Sequence, residues 1–291
     1  MNVLLVGGSG FIGTNLAAEL VERGHDVTVL SRSPDDEELP AGVETAMGDV
    51  TAYDSMEGAF EGQDAVVYLV ALSPLFEPKG GNEMHRTVHL GGAENVVRAA
   101  EDHGVDRLVH MSALGADPDG RTAYIRAKGE AERVVTDSDL DRVIFRPSVV
   151  FGDGGEFVGF TKKLTPPGIA PLPGGGKTRF QPIWVGDLVP MLADAVEDDE
   201  HVGETYEVGG PEVLTLKEIA KLVRGGVAVV PVPMALAGVG LSIAGAIPGF
   251  PMGADQYRSL QFDNTTADNE VDAFGVEASE MKTLGEYLGR Q

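Results

Sequence analysis

A tyrosine and a lysine four residues apart, Tyr124 and Lys128, are the side chains whose types and spacing best suit proton transfer. Residues four apart share one face of a helix, and residues 123–135 carry apolar side chains at helical spacing. A free phenol has a pKa of about 10 and rarely ionises at neutral pH. A nearby ammonium stabilises the phenolate and lowers that pKa. The pair therefore predicts a general acid/base; the alternative is an exposed aromatic beside a helix-face lysine.

A glycine-rich loop, GSGFIG at residues 8–13, predicts a dinucleotide site. It follows a β-branched run at 2–6 and opens a helical pattern at 11–23. Gly8 suits a tight turn, Gly10 lets the backbone approach a pyrophosphate, and Gly13 lets the helix pack on the strand. The helix N-terminus attracts the anion. A βα turn without a ligand is the alternative.

The end of the second predicted strand indicates which dinucleotide is bound. An acid about 20 residues beyond the loop would bind the ribose 2′-hydroxyl of NAD, but here the strand ends in Leu30, Ser31 and Arg32. A guanidinium fits a 2′-phosphate bidentately. The sequence therefore favours NADP(H), with NAD(H) second, unless Arg32 is only a solvated charge.

Three other patterns are weaker. The segment GGGKT at 174–178 ends like a phosphate-binding loop, but Pro171 replaces its first glycine, so an ATPase is not expected. His85 and His89 have the spacing of two metal ligands but no obvious third one, so we predict no metal site and favour a role at the helix entrance. Asp187 is expected to cap a helix at 185–196 rather than act as an acid.

The elements that position these residues alternate between strand and helix. Strands are predicted at 2–6, 26–30, 43–47, 65–70, 107–111 and 142–145, with helices at 11–23, 88–102 and 123–135. This order predicts an α/β fold, a Rossmann-like doubly wound parallel sheet with a smaller C-terminal region on the substrate side. We expect an NADP(H)-binding domain at 1–151, completed by about 184–209, and a substrate or partner region at 152–183 and 210–291.

Two later segments depart from this pattern. Residues 152–176 are rich in Gly and Pro and predict a long active-site loop. Residues 225–254 carry no charge, but prolines leave only the stretch 234–247, shorter than the roughly 20 residues of a membrane span. A buried helix or substrate lid is favoured there. The alternatives are a helix docking on a membrane complex and a site for an apolar, quinone-like substrate.

The charge balance excludes several partners. There are 46 Asp and Glu against 22 Lys and Arg, a net charge of -24, which repels nucleic acid and anionic membranes. Such an excess is typical of proteins from a halophilic cytosol, with an ordinary acidic protein as the alternative. The absence of cysteine excludes disulfides, thiolate metal sites and a Cys nucleophile. Because strand-like sequence begins at Asn2, no signal peptide is predicted and a cytoplasmic location is expected.

Nearly the whole chain resembles the extended short-chain dehydrogenase/reductases, which include NAD-dependent epimerases and dehydratases. It looks closest to their atypical branch that contains the NADPH-binding accessory subunit of respiratory complex I. The motifs that carry the resemblance are GGSGFIG (7–13), GDV (48–50), HMSALGAD (110–117), YIRAK (124–128), RPSVVFG (146–152), TRFQPIWVGDL (178–188) and YEVGGPEVLTLKEI (206–219).

The resemblance implies a set of cofactor contacts. The family's glycine spacing falls on Gly7, Gly10 and Gly13, with Phe11 and Ile12 between them. By the same likeness, the adenine faces Asp49 and Val50, the adenosine ribose borders Val70 and Ala71, and the nicotinamide end lies at residues 147–150, including Pro147, Val149 and Val150. Tyr124 would protonate a substrate carbonyl as NADPH delivers hydride, and Lys128 would also hold the nicotinamide ribose.

The chain departs from the family at two catalytic positions. The family's serine falls on Ala113, one residue beyond Ser112, and its asparagine falls on His89. Neighbouring strand residues point to opposite faces, so Ser112 replaces that serine only if its hydroxyl turns inward. The sequence therefore supports three hypotheses for a small-molecule site: a carbonyl oxidoreductase, an NADPH-binding subunit or assembly partner of a respiratory membrane complex, and a sugar-nucleotide epimerase.

Overall fold

A computed structural model describes residues 1–34, 39–233 and 254–290. The chain divides into two compact units, each made of separate segments. The first contains Met1–Leu72, Glu83–Arg146 and Val185–Tyr206, and the second contains Ser73–Asn82, Pro147–Trp184 and Glu207–Gln291. Which unit holds nucleotide and which holds substrate stays a prediction.

The strands of the described residues are β1 (Asn2–Val6), β2 (Asp26–Ser31), β3 (Glu44–Met47), β4 (Ala65–Tyr68), β5 (Arg107–Met111), β6 (Asp141–Pro147), β7 (Val150–Phe151), β8 (Ile169–Pro173), β9 (Arg179–Phe180), β10 (Ile183–Trp184), β11 (Thr205–Val208), β12 (Leu214–Thr215) and β13 (Ala228–Val232). The α-helices are α1 (Phe11–Glu22), α2 (Glu83–His85), α3 (Gly91–His103), α4 (Ala123–Thr136), α5 (Glu156–Leu164), α6 (Val185–Glu197), α7 (Leu216–Arg224), α8 (Ala254–Ser259) and α9 (Leu284–Tyr287). A π-helix, Arg86–Leu90, joins α2 to α3, and single 3-10 turns lie at Tyr53–Ser55, Glu57–Phe60, Asp199–His201, Glu270–Phe274 and Ala278–Glu280.

A seven-stranded parallel sheet in the order β11-β6-β5-β4-β1-β2-β3 forms the centre of the first unit. Its central strands β1 and β4 are short apolar runs, as expected for strands that helices cover on both faces. The strand order reverses at β1, which pairs with both β2 and β4. Ligands of open parallel sheets bind at the carboxyl ends of the strands beside such a reversal. The predicted Rossmann-like α/β fold is confirmed.

Helices α3 and α4 cover one face of this sheet and bury a single apolar cluster. Its strand members alternate in sequence, as in Leu4 and Val6 of β1 and Val66 and Tyr68 of β4. Helix α1 packs instead with α6, where Arg23 bonds to Asp194 and Glu197 at 2.6 Å each. The predicted acid/base pair, Tyr124 and Lys128, therefore lies on the face-covering helix α4, next to α3.

A tight contact fixes α3 against β4. The Tyr68 hydroxyl is buried and donates to the carbonyl of Val88 at 3.0 Å. It also lies against Gly92, where an added Cβ would be 2.3 Å from the Tyr68 oxygen. Only glycine gives the space that this approach needs.

The second unit contains short two-stranded pairings: β7 with β10, β8 with β13, and β9 with β12. Helix α5 packs on α7 through Phe157, Ile219 and Val223. The prediction of an irregular loop at 152–176 is therefore wrong, because this segment contains α5 and β8. Three of its glycines precede α5, one lies within the helix and the rest follow it, and Pro171 lies in a strand with one bonded neighbour, where a missing N–H is tolerated.

The uncharged segment is described only in part. Residues 228–232 form β13, which pairs in parallel with β8. The helix or lid predicted for the remainder, including 234–247, lies outside the described residues. In the described ranges, no helix is both long and apolar enough to cross a membrane.

We expect Gly92→Ala to lower the free energy of unfolding by about 1–3 kcal/mol, because the new methyl group overlaps the Tyr68 hydroxyl. Chemical denaturation measures this loss. Gly91→Ala is the matched control, since nothing lies within 4 Å of its Cβ position. Tyr68→Phe should recover part of the loss, and equal effects of the two alanine variants would contradict the contact.

Candidate active site

The loop between β1 and α1 is a backbone cradle that side chains would fill. Gly7 has φ +88°, and a Cβ there would lie 2.8 Å from Cγ2 of Val70. A Cβ on Gly13 would lie 2.5 Å from the backbone of Gly8, so these two glycines let the helix begin directly on the loop. Gly10 has open space beyond the Gly7 carbonyl at 3.3 Å. These are the contacts that a pyrophosphate-binding turn requires.

Helix α1 begins without a side-chain cap. Gly10 is its N-cap residue and offers no side chain to the first turn. The first-turn N–H groups, which include those of Phe11, Ile12 and Gly13, have no acceptor within the helix. An anion can accept from them while the helix dipole favours its charge.

The predicted adenosine residues surround the ends of β2 and β3. Ser31 ends β2, and its buried Oγ has no hydrogen-bond partner among the described residues. Arg32 follows and is exposed. The Thr51 N–H and hydroxyl, at 2.9 and 2.7 Å, hold the pKa of Asp49 below its usual range, and the charge of Arg32 acts in the same direction. Val50 is buried, and its carbonyl accepts from Asn95 at 2.7 Å.

The other predicted ribose contacts follow β4. Val70 lies against Gly7, as described above, whereas Ala71 is exposed. Leu72 then donates its backbone N–H to Nε2 of His89 at 2.9 Å. The segment after β4 is thereby tied to both the glycine loop and the π-helix.

Two histidines pack against the ring of Tyr124. Their ring centroids lie 5.6 Å from it for His85 and 5.3 Å for His89, both nearly perpendicular. Thr122 caps α4 by accepting from the N–H of Ile125 at 3.2 Å, which fixes the first turn that carries Tyr124. The histidines lie at and within the π-helix, a helical form that often marks functional sites.

His89 is a neutral hydrogen-bond donor. Because its Nε2 accepts from Leu72, the proton of the neutral ring is on Nδ1. Burial lowers the pKa of His89 far below its ordinary value, and the charge of Lys128 lowers it further. Its Nδ1 is buried with no partner among the described residues.

Lys128 is buried at the end of β5, one helical turn after Tyr124 on α4. Its Nζ donates to the carbonyl of Met111 at 2.7 Å. Burial lowers the pKa of Lys128 to about 8, and the negative charge of Glu132 opposes this fall. The 117–118 loop passes close to α4 because residue 129 is glycine. A Cβ at Gly129 would lie 2.5 Å from the backbone of Asp117.

The electrostatics of Tyr124 differ from the sequence expectation. Burial raises its pKa above the ordinary value of a phenol, although a fall was expected from Lys128. The physical reason is that the Lys128 ammonium bonds to the Met111 carbonyl, while the rings of His85 and His89 pack against Tyr124. In this structure Tyr124 is therefore a protonated acid.

Ala113, at the position of the family's serine, and its neighbour Ser112 are also buried. Ser112 is 3% exposed, and its Oγ has no partner in the described part of the chain. Ala113 is 9% exposed and offers no hydroxyl. The Ser112 hydroxyl and Nδ1 of His89 are therefore two buried polar atoms near Lys128 and Tyr124 that have no partner among the described residues.

Sequence reasoning missed three further residues. His110 is fully buried below Ser112, its ring lies 5.4 Å from that of Tyr68, and neither ring nitrogen has a partner among the described residues. Glu132 forms two bonds to Arg146, at 2.9 and 2.6 Å. The spacing of Glu132, four residues after Lys128, was a usable signal; nothing in the pattern of β5 marked His110.

Residues predicted at the nicotinamide end belong to the second unit. Pro147 is buried, whereas Val149 and Val150 are partly exposed. Asn264 holds this segment, since its Oδ1 accepts from the Ser148 hydroxyl at 2.8 Å and from the Val149 N–H at 3.0 Å. Their contact with a nicotinamide stays a prediction.

Two further predictions concern Asp187 and the pair His85 and His89. Asp187 lies in the first turn of α6, which begins at Val185, rather than directly before the helix. There its carboxylate still faces the positive end of the helix dipole. In the described residues, three potential metal ligands come within 4.8 Å of one another at Asp198, Glu200 and His201, and His85 and His89 are not part of that group.

A model of the NAD(P)H-binding family matches residues 7–167. The chain belongs to this family. It is an NAD(P)-binding Rossmann protein of the extended short-chain dehydrogenase/reductase type, which includes oxidoreductases and epimerases.

The chain is similar in sequence to two curated proteins and in fold to a solved epimerase. The "NADH dehydrogenase [ubiquinone] 1 alpha subcomplex subunit 9, mitochondrial" of Arabidopsis thaliana is 30% identical over 74% of this chain and 55% of its own length. The "3 beta-hydroxysteroid dehydrogenase/Delta 5-->4-isomerase" of Mycobacterium tuberculosis is 28% identical over 75% of this chain and 67% of its own length. The UDP-glucose 4-epimerase of Thermus thermophilus, solved with NAD, has a TM-score of 0.67 and 24% identity, covering 94% of this chain and 99% of its own. The last likeness shows the fold alone, and this chain spans little more than half of the Arabidopsis relative.

We expect the free energy of unfolding of the wild type to rise with pH between about 8 and 10.5, relative to Lys128→Met. In that window the unfolded chain binds the lysine proton while the folded chain has released it, so raising the pH favours folding. Urea unfolding at a series of pH values measures the difference. A constant difference across the window would show that the Lys128 pKa is not lowered by folding.

Proposed function

We propose that the protein is an NADP(H)-dependent oxidoreductase that reduces a carbonyl or related group, with Tyr124 as the acid. The observation that carries this proposal is the layer of His85, His89, Tyr124 and Lys128. Both imidazoles pack on the half-buried Tyr124 ring and fix its orientation, and the buried Lys128 Nζ bonds to the end of β5. A structural role alone does not require a lysine buried at 1% exposure.

The residues of the first unit fit a phosphorylated dinucleotide. The Gly7–Gly13 cradle admits a pyrophosphate, and the unpartnered Oγ of Ser31 can bond to the adenosine ribose. Arg32 stands where an NAD-binding chain carries an acid, and its exposed guanidinium can pair with a 2′-phosphate. These features support NADP(H) over NAD(H).

In reduction, the bound dinucleotide supplies the hydride. Tyr124 donates its hydroxyl proton to the oxygen of the substrate carbonyl as negative charge develops there. Its raised pKa keeps this proton in place until the substrate oxygen becomes more basic. The buried Lys128 charge stabilises the phenolate that remains, and solvent then restores the proton.

Other groups of the layer can replace the serine that the family carries at the Ala113 position. The hydroxyl of Ser112 and the Nδ1–H of neutral His89 are buried donors without partners among the described residues. An unpaired buried donor costs stability, so its retention favours a role in holding the substrate oxygen or a water. The uncharged 225–254 run and the hydroxysteroid in the name of the M. tuberculosis relative support an apolar substrate, with quinones as a second class.

A second candidate function is an NADPH-binding subunit or assembly partner of a respiratory membrane complex. Ala113 in place of the serine and the 30% identity to the Arabidopsis complex subunit favour it. The sugar-nucleotide epimerase hypothesis is supported by fold likeness and by 26% identity, over 76% of this chain, to the UDP-glucose 4-epimerase of Vibrio cholerae, and it ranks third.

We expect Arg32→Ala to weaken NADPH binding about 10- to 100-fold, the loss typical of a charge-assisted bond, and NADH binding by less than about threefold. Fluorescence titration of both nucleotides in molar salt measures this. Arg133→Ala, an exposed arginine on α4, is the control and should change neither. Equal losses for both nucleotides would refute the assignment of Arg32 to the 2′-phosphate.

We expect Tyr124→Phe to lower turnover at least about 100-fold, because the proton donor is lost, with NADPH affinity nearly unchanged. The assay is NADPH oxidation with a panel of ketosteroids, other carbonyl compounds and quinones. Tyr53→Phe, which removes a hydroxyl bonded to Asp102 on the first unit, serves as the control. Tight NADPH binding with no turnover by the wild type would reject the oxidoreductase and favour the binding subunit.

A further inference from the structure

Lys128 carries its charge in surroundings that offer little compensation. Its bond to the Met111 carbonyl is to a neutral acceptor. The titratable groups that face it are His110 from β5 and His89 from the π-helix, both with pKa values lowered by burial, and Tyr124 on its own helix. None of these three groups supplies a negative charge at neutral pH.

Glu132 supplies that negative charge from the same helix face. It lies four residues after Lys128, one turn further along α4, and its side chain is 9% exposed. Arg146 of β6 binds both carboxylate oxygens, at 2.9 and 2.6 Å. Two charge-assisted bonds offset the cost of burying the carboxylate and fix its position.

We propose that Glu132, held by Arg146, is the positioning residue that keeps the buried Lys128 side chain charged, one helical turn after Tyr124. Its effect on the reaction rests on the proposed function, because a charged Lys128 assists catalysis only if Tyr124 transfers a proton. The electrostatic link itself is a property of the folded chain and is measured without substrate or nucleotide.

Glu130 shows why position on the helix matters. It lies two residues after Lys128, about 200° around the helix, and pairs with Arg86 at 3.1 Å. Its side chain is 32% exposed, so water screens its charge. Glu130 therefore has the same chemistry on the same helix and provides a matched control for Glu132.

The experiment follows the ionisation of Lys128 through stability. The free energy of unfolding is measured in urea from pH 6 to 11 for each protein and for the same protein with Lys128→Met; the difference shows an inflection at the folded-state pKa of Lys128. In the wild type we expect the inflection near pH 8. Glu132→Gln should move it down by about one pH unit or more, and Glu130→Gln should leave it in place. An unchanged inflection in Glu132→Gln would overturn the proposal.

If Glu132→Gln alone fails to fold, the double variant Glu132→Gln/Arg146→Gln removes both members of the ion pair and leaves no unpaired buried charge. The Glu132 charge that acts on Lys128 is again absent, so the inflection should move down; no movement or a rise would overturn the proposal. The result is separable from the proposed function. If the wild type shows no turnover but the inflection moves in Glu132→Gln, the oxidoreductase is rejected and the electrostatic link between Glu132 and Lys128 is retained. If the wild type shows turnover but the inflection does not move, the link is rejected and the oxidoreductase is retained.

Where turnover is found, the pH profile gives a further readout. Glu132→Gln should move the alkaline limb of the turnover profile to lower pH by the same amount as the stability inflection. A merely structural role for Glu132 would lower turnover equally at all pH values, and that result would also count against the proposal.

Discussion

The first unit depends on placing one ammonium group, that of Lys128, at the buried carboxyl end of β5. For Nζ to reach the Met111 carbonyl at 2.7 Å, α4 must lie close to the strand. Gly129, the next residue, allows this because a Cβ there would collide with the backbone of Asp117 at 2.5 Å. Glu132 and Arg146 then provide a fixed pair of charges one turn away. Burying a lysine costs free energy of folding, so a lysine held in this way is not expected at a position whose only role is to pack the core.

The layer around this ammonium differs from the serine and asparagine that the resemblance predicts. His89 is a neutral imidazole whose Nε2 is occupied by the Leu72 N–H, and Ala113 carries no hydroxyl. The neutral state of His89 and His110 is consistent with the charge of Lys128 beside them, because both burial and the lysine charge lower the pKa values of these histidines. The polar atoms that remain unpaired, on Ser112, His89 and His110, give the layer capacity to bind a carbonyl oxygen or water.

Much of the fold could be predicted from the sequence because local patterns and the final structure agree. The strands β1 and β4 are short apolar runs, and Gly7, Gly8 and Gly13 lie where a Cβ would collide with neighbouring atoms. The i, i+4 spacing likewise placed Tyr124 and Lys128 on one helix. By contrast, α5 was hidden by the surrounding glycines and prolines, since its packing on α7 rather than its composition stabilises it.

The site was less predictable than the fold for a physical reason. Which group an ammonium faces depends on distances between elements, and the sequence did not show that Lys128 bonds to Met111 or that Arg146 of β6 reaches Glu132. The sign of the Tyr124 pKa shift was therefore wrong: burial outweighs a charge that is directed elsewhere. The histidine packing arises from a π-helix, whose wider turn no periodicity in the sequence indicates.

The central claim is that Tyr124 transfers its proton while the buried Lys128 is charged. The most direct measurement is the pH profile of NADPH-dependent turnover by the wild type between pH 6 and 10. We expect turnover to fall as the pH rises through about 8, because Lys128 then loses the charge that stabilises the Tyr124 phenolate. Turnover that stays constant up to pH 10 would contradict the claim.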